Sequence, residues 1–239
     1  MRHTVKTSGL SKILIYGTNL QAAALYTMIR TEEQAEVAAF VVDSDYRKND
    51  TYCGIPVIDF ENIEYLFSPD IYEICLSFGY KNMVRNREEK FNKCRRLGYH
   101  IYSFISKKAN VYTTNIGEGC NIYPGTTIAP FVEIGKGSFI ECGNVIAHHT
   151  RIGDFNFIAP GAHFCGAVTT GKNCFIGSAS EIINGCTLGN FVFIGAMSKV
   201  SKNIKAKEVV MPPRSEKSNK TSDEMMLYMF NKQEPKKIK

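Results

Sequence analysis

Between residues 12 and 104 the apolar positions come in short blocks separated by amphipathic stretches. The blocks KILIY (12–16), VAAFVV (37–42) and YEICLSF (72–78) predict strands, and HIYSF (100–104) predicts a last one. NLQAAALYTMIR, just after Gly17, has helical spacing. NMVRNREEKFNKCRRLGY, with Gly98 as its stop, predicts a second amphipathic helix. Strands alternating with helices imply a small parallel sheet.

From Ile105 the period changes to six. Stepping by six from Ile116 gives fifteen positions to Val200, and thirteen are Ile, Leu or Val, with Phe164 and Thr170 the exceptions. The position four later is nearly always small or slim, as at Cys120, Thr126, Ser138, Asn144, Ala162 and Ser180. The position one later is often Gly or Ala, as at Gly117, Ala129, Gly153 and Gly177. This hexapeptide repeat predicts one short flat strand and a turn per six residues, and a triangular coil per three repeats. Aliphatic side chains then stack along the axis, with small residues filling the corners. Cys120, Cys174 and Cys186 are thereby core fillers. The register slips by one between Val111 and Ile116, which marks an atypical first coil.

The chain is expected to divide into a Rossmann-like domain (1–104), a β-solenoid (105–204) and a carboxy-terminal segment (205–239). In the last, TSDEMMLYMF predicts a capped helix that covers the solenoid end or packs on a neighbouring subunit. No apolar run is long enough to span a bilayer, and MRHTVKTSGLSK lacks a signal-peptide core, so the expectation is a cytoplasmic protein without membrane insertion. The eight cysteines include no CxxC pair, which argues for reduced thiols. A net charge of +6, part of it in the closing PKKIK, comes without a basic stripe interleaved with aromatics. Nucleic acid is therefore not an expected partner, and a modest positive field suits anionic small molecules.

One stretch is more specific than the repeat alone: VIAHHTRIGDFNFIAPGAHFCGAVTTGKNCFIG (145–177). Joined to the amino-terminal pattern, it resembles the hexapeptide-repeat nucleotide-sugar acetyltransferases, which include UDP-4-amino-sugar N-acetyltransferases of the bacillosamine type and sialic acid O-acetyltransferases. The resemblance covers about residues 12–212. It implies a left-handed parallel β-helix, a homotrimer, and acetyl-CoA held in the cleft between neighbouring solenoids as co-substrate, with no metal. It further implies His148 as general base and Gly166, eighteen residues on, as the backbone oxyanion donor. One coil places such residues side by side at about 5 Å. Ser178 and Ala196 match the positions that contact acetyl-CoA, and Lys199 and Lys202 are candidates for its phosphates. His163, last in its repeat, is expected in a turn. Two positions depart from the pattern. His149 stands where the family often has an acidic residue to orient the base, leaving a backbone carbonyl or Asp154 for that role. Phe157 stands where several relatives carry a histidine against the acetyl group.

In the amino-terminal domain the resemblance implies a nucleotide-linked amino sugar as partner. GTNLQA (17–22) keeps the glycine of the family's G-x-S/G-G-H-G turn in Gly17, followed by Thr18 and Asn19, but has Leu20 and Gln21 in place of Gly and His. A phosphate at the next helix N-terminus is still favoured, while the Leu20 side chain occupies space that a glycine leaves open. Asp43, at the end of the second strand, is positioned for ribose or base. The implied activity is N-acetylation of a nucleotide-linked amino sugar in bacterial surface-glycan synthesis. The alternatives are O-acetylation of the sialic acid type and a non-catalytic trimeric sugar-binding scaffold. A zinc enzyme on the same solenoid needs a His-x4-His pair, which this chain lacks.

Overall fold

The computed structural model describes residues 11–231, so MRHTVKTSGL and the PKKIK end lie outside the described residues. In chain order the amino-terminal domain holds β1 (Ser11–Tyr16), α1 (Leu20–Thr31), β2 (Ala35–Val42), β3 (Thr51–Tyr52), β4 (Ile55–Asp59), α2 (Ile63–Leu66), β5 (Tyr72–Leu76) and α3 (Arg85–Arg96). The sheet order is β3-β4-β2-β1-β5, parallel except for β3. The blocks expected as strands are buried because α1 and α3 pack Leu25, Ile29, Phe91 and Cys94 onto them.

Three details differ from the sequence reading. A hairpin, β3–β4, turns on Cys53 and Gly54, both at positive φ. The helix expected from Asn82 begins at Arg85, because Asn82, Met83 and Val84 all take left-handed φ (53°, 49° and 61°). HIYSF is no sheet strand: Ile101 makes a single bridge to Ile74, and Phe104–Ile105 already pairs with Asn121–Ile122 of the solenoid.

The solenoid is a left-handed parallel β-helix of two-residue strands arranged in three sheets of seven, six and four strands. Strands eighteen residues apart pair in register, Val145 with His163 and Phe157 with Phe175 among them. The first coil is one residue short, since Val111 pairs with Ile128 and Ile105 with Ile122. Aliphatic residues from Ile122 to Val200 form one continuous buried column, and Cys120, Cys174 and Cys186 lie within it. Corners are made by one left-handed residue every six, from Gly119 to Met197. Glycine tolerates that conformation without strain, yet His149, Phe155, Phe191 and Met197 also adopt it.

The two domains share an interface on the seven-stranded face. Phe139, Phe157, Phe175 and Phe193 stack there at 4.7–5.7 Å, and Tyr80 lies edge-on against Phe157 and Phe175. Beside the ladder is Arg87, fully buried, whose guanidinium donates to the carbonyls of Leu76, Phe78, Gly119 and Gly137. These acceptors come from both domains. Burial pushes its pKa down, to about 10, without neutralising it near pH 7. The carboxy-terminal helix α4 (Ser222–Asn231) forms as expected, with Thr221 and Glu224 as a capping box. Within the protomer its Met226, Leu227, Tyr228 and Met229 are exposed.

Candidate active site

The corner between the six- and four-stranded faces carries His148, Gly166, Asn184 and Lys202 at intervals of eighteen. A Cβ built on Gly166 would stand 2.8 Å from His148 Cε1 and 3.1 Å from its Nε2, and 2.8 Å from Asn184 Oδ1. The imidazole edge and the amide oxygen thus converge on the one residue of the column without a side chain. Backbone bonding continues on both sides: Cys165 N–H donates to Ile182, and Ala167 N–H donates to the His148 carbonyl. The Gly166 N–H has no acceptor among the described residues. An imidazole beside an unengaged N–H on an exposed corner can take a proton and stabilise a developing oxyanion.

His148 Nδ1 lies 3.0 Å from Nδ1 of His149, and the two rings are nearly perpendicular at 86°. The role proposed for Asp154 falls away, since its Oδ1 accepts from Lys136 N–H at another corner. Phe131, one coil below His149, packs against that ring at 4.9 Å. Beneath this contact lies an open surface groove lined by Tyr112, Thr113, Asn115, Phe131 and Glu133. Asn184, Phe131 and this groove escaped the sequence reading, although stepping by eighteen from Gly166 leads to Asn184.

Ser178 and Ala196 lie on a different corner, between the seven- and six-stranded faces, half-buried and exposed respectively. Within one protomer the structure does not bring them to His148. Lys199 is exposed and pairs with Glu181 at 3.4 Å, and Lys202 is exposed on the His148 corner. His163 is a strand residue rather than a turn residue, paired with Val145 and Glu181. Phe157 is buried in the phenylalanine ladder under Tyr80, on the face away from the His148 corner.

In the amino-terminal domain, Gly17 is buried at φ +123°, and a Cβ there would collide with Ser77 Oγ. Thr18 is half-buried. Asn19 caps α1 by accepting Ala22 N–H. Leu20 is 87% exposed, so its side chain leaves the turn rather than filling it. Gln21 fills it instead: its amide packs against Gly79 and donates to Glu141 of the solenoid at 3.2 Å. Burial pushes the Glu141 carboxyl up, and the bond from Gln21 opposes this. Asp43 accepts from Tyr16 at 2.8 Å and Lys90 at 2.9 Å, with Lys93 at 3.5 Å. Burial alone would raise its pKa, but those hydrogen bonds and charges outweigh it and hold the carboxyl low. Gly17 and Asp43 therefore stand at the carboxyl ends of β1 and β2, where open α/β sheets bind ligands.

The comparisons bear on this arrangement. The family model for the bacterial transferase hexapeptide (six repeats) matches residues 113–148. A search of curated protein sequences gave no match. Among solved structures, the chain is similar to the acetyltransferase domain of PglB from Neisseria gonorrhoeae FA1090 in complex with acetyl coenzyme A, at 21% identity and TM-score 0.76, covering 85% of this chain and 97% of that one. It is similar to PerB from Caulobacter crescentus in complex with CoA and GDP-perosamine, at 24% identity and TM-score 0.76, covering 88% and 99%. WeeI from Acinetobacter baumannii AYE aligns at 22% identity and TM-score 0.73, covering 84% and 97%. These likenesses establish the shared fold, a small α/β domain followed by a left-handed β-helix. Among the described residues no helix is long and apolar enough to cross a membrane, and no cluster of three or more His, Cys, Asp or Glu is placed to hold a metal ion.

Proposed function

We propose that this chain is an acetyl-CoA-dependent N-acetyltransferase acting on a nucleotide-linked amino sugar. The observation that carries the reading is the His148 imidazole edge against Gly166, whose N–H is unengaged. In the proposed reaction the amine nitrogen attacks the thioester carbon while His148 Nε2 takes its proton. The Gly166 N–H holds the developing oxyanion, worth roughly 10²–10³ in rate. The C–S bond then breaks, and the departing thiolate takes the proton from His148.

The arrangement supports a homotrimer. His148 and Gly166 lie on one corner, and Ser178 and Ala196 on another, so three-fold packing would set one protomer's base beside its neighbour's acetyl-CoA positions. Lys199 and Lys202 would then face the cofactor phosphates. The open groove beneath His149 offers Tyr112 and Phe131 to a sugar ring and Asn115 and Glu133 to its hydroxyls. Gly17, Thr18, Asn19 and Asp43 would hold the nucleotide portion. The solved structures with acetyl coenzyme A and with GDP-perosamine support the same two ligand classes here. A bacterial surface-glycan pathway follows from an acceptor of that kind.

The test is loss of thioester absorbance with acetyl-CoA and a panel of nucleotide-linked 3- and 4-amino sugars and free sialic acid, with the product identified by mass and NMR. An N-acetylated nucleotide sugar is expected. An O-acetyl product would move the reading to sugar O-acetylation, and sugar binding without turnover would leave a trimeric scaffold.

A further inference from the structure

We propose that His149 is the positioning residue for His148, a second imidazole acting where a carboxylate would otherwise orient the base. The inference rests on the acyltransferase reading for its kinetic consequence, but its geometry stands on its own. Two imidazole nitrogens 3.0 Å apart, as the Nδ1 atoms are, require one proton between them, so one ring donates and the other accepts. The Nε2 edge of His148 is the one turned to Gly166. A base at that edge needs its lone pair there, so the ring proton belongs on His148 Nδ1, with His149 Nδ1 as acceptor.

Several features make His149 a fixed acceptor rather than a loose surface ring. Its backbone is left-handed at φ +60°, set by the period-six corner of the solenoid. Its ring is held between Phe131, at 4.9 Å, and the perpendicular ring of His148, at 5.2 Å. Among the described residues neither histidine has a carboxylate partner, and the residues next along their columns are Pro130, Phe131, Gly166 and Ala167. When His148 Nε2 takes the proton from the amine, the resulting imidazolium keeps donating Nδ1–H to neutral His149. The thiolate removes the Nε2 proton at the end, so the pair returns to its starting state with no net proton gained.

The test uses the full chain with ¹⁵N-labelled histidine, at a pH where imidazoles are neutral. Long-range ¹H–¹⁵N correlation reads the His148 tautomer in the parent, in His149→Gly and in His149→Asn. Glycine removes the ring and suits positive φ, and asparagine tolerates that φ while offering an acceptor oxygen. The expected result is an Nδ1–H tautomer in the parent and in His149→Asn, shifting toward Nε2–H in His149→Gly. In parallel, kcat should fall about tenfold or more in His149→Gly, with KM for acetyl-CoA within about twofold and substantial recovery in His149→Asn. An Nε2–H tautomer of His148 in the parent, or an unchanged tautomer in His149→Gly, would overturn the proposal. Full activity of His148→Ala would sink the base assignment instead, and the tautomer readout would still decide whether His149 positions His148.

Discussion

Two residues show how much a single position does here. Gly166 has no side chain, and the space a Cβ would take is bordered by the His148 ring and the Asn184 amide. Both neighbours are side-chain ends that can yield, so Gly166→Ala should cost under about 1 kcal/mol of stability. It should nonetheless lower kcat by about 10²-fold, because the base and the thioester lose their common site. A thermal melt beside a steady-state assay separates the two effects. Asp43 presents the opposite case, a carboxylate with three donors. Its pKa is lower folded than unfolded, so its stabilisation is fully present above the ordinary carboxylate pKa of about 3.9 and is lost as pH falls through the folded value. Asp43→Asn should destabilise by about 1–3 kcal/mol at neutral pH, and parent and variant should begin to converge below about pH 4 in urea melts at stepped pH. The vicinity of His148 to Gly166 was legible because a solenoid turns residue counting into geometry. The lysines around Asp43 were not, since they come from α3, some fifty residues on, through a fold that counting does not describe.

At the scale of elements, the seven-stranded face matters beyond its own coils. Phe157 fills the ladder between Phe139 and Phe175, with Tyr80 from the other domain across it. Phe157→Ala should therefore cost about 3–5 kcal/mol, with KM for acetyl-CoA unchanged in whatever fraction stays folded. Arg87 ties β5 and α3 to the first coils through carbonyl oxygens and through its stacking over the Phe139 ring. Arg87→Met leaves the Gly119 and Gly137 oxygens buried without a donor, while Leu76 keeps its bond from Asn121, and a loss of about 3–5 kcal/mol is expected by denaturant titration. Arg87→Lys should recover little of it, because an ammonium cannot match a planar fork of donors. The solenoid strands were readable from a strict period, and β1, β2 and β5 from their apolar runs. The β3–β4 hairpin was not, because the two residues of β3 carry no periodicity and only Cys53-Gly54 hinted at the turn. The ladder was hidden too: Phe139, Phe157, Phe175 and Phe193 recur every eighteen residues, but that spacing alone does not show that a second domain covers them.

For the whole molecule, the account requires that a site be made from two chains. His148 with Gly166 and Ser178 with Ala196 occupy different corners, so on the proposed reading a lone protomer is inactive. Sedimentation should give a mass of three chains. The central claim, that His148 is the base of an acyl transfer from acetyl-CoA, is tested most directly by one comparison. Thioester loss is followed in the parent and in His148→Ala at saturating acetyl-CoA and amino sugar. The account predicts a kcat lower by about 10²-fold or more in the variant, with KM for acetyl-CoA little changed. Equal rates in the two proteins would contradict it.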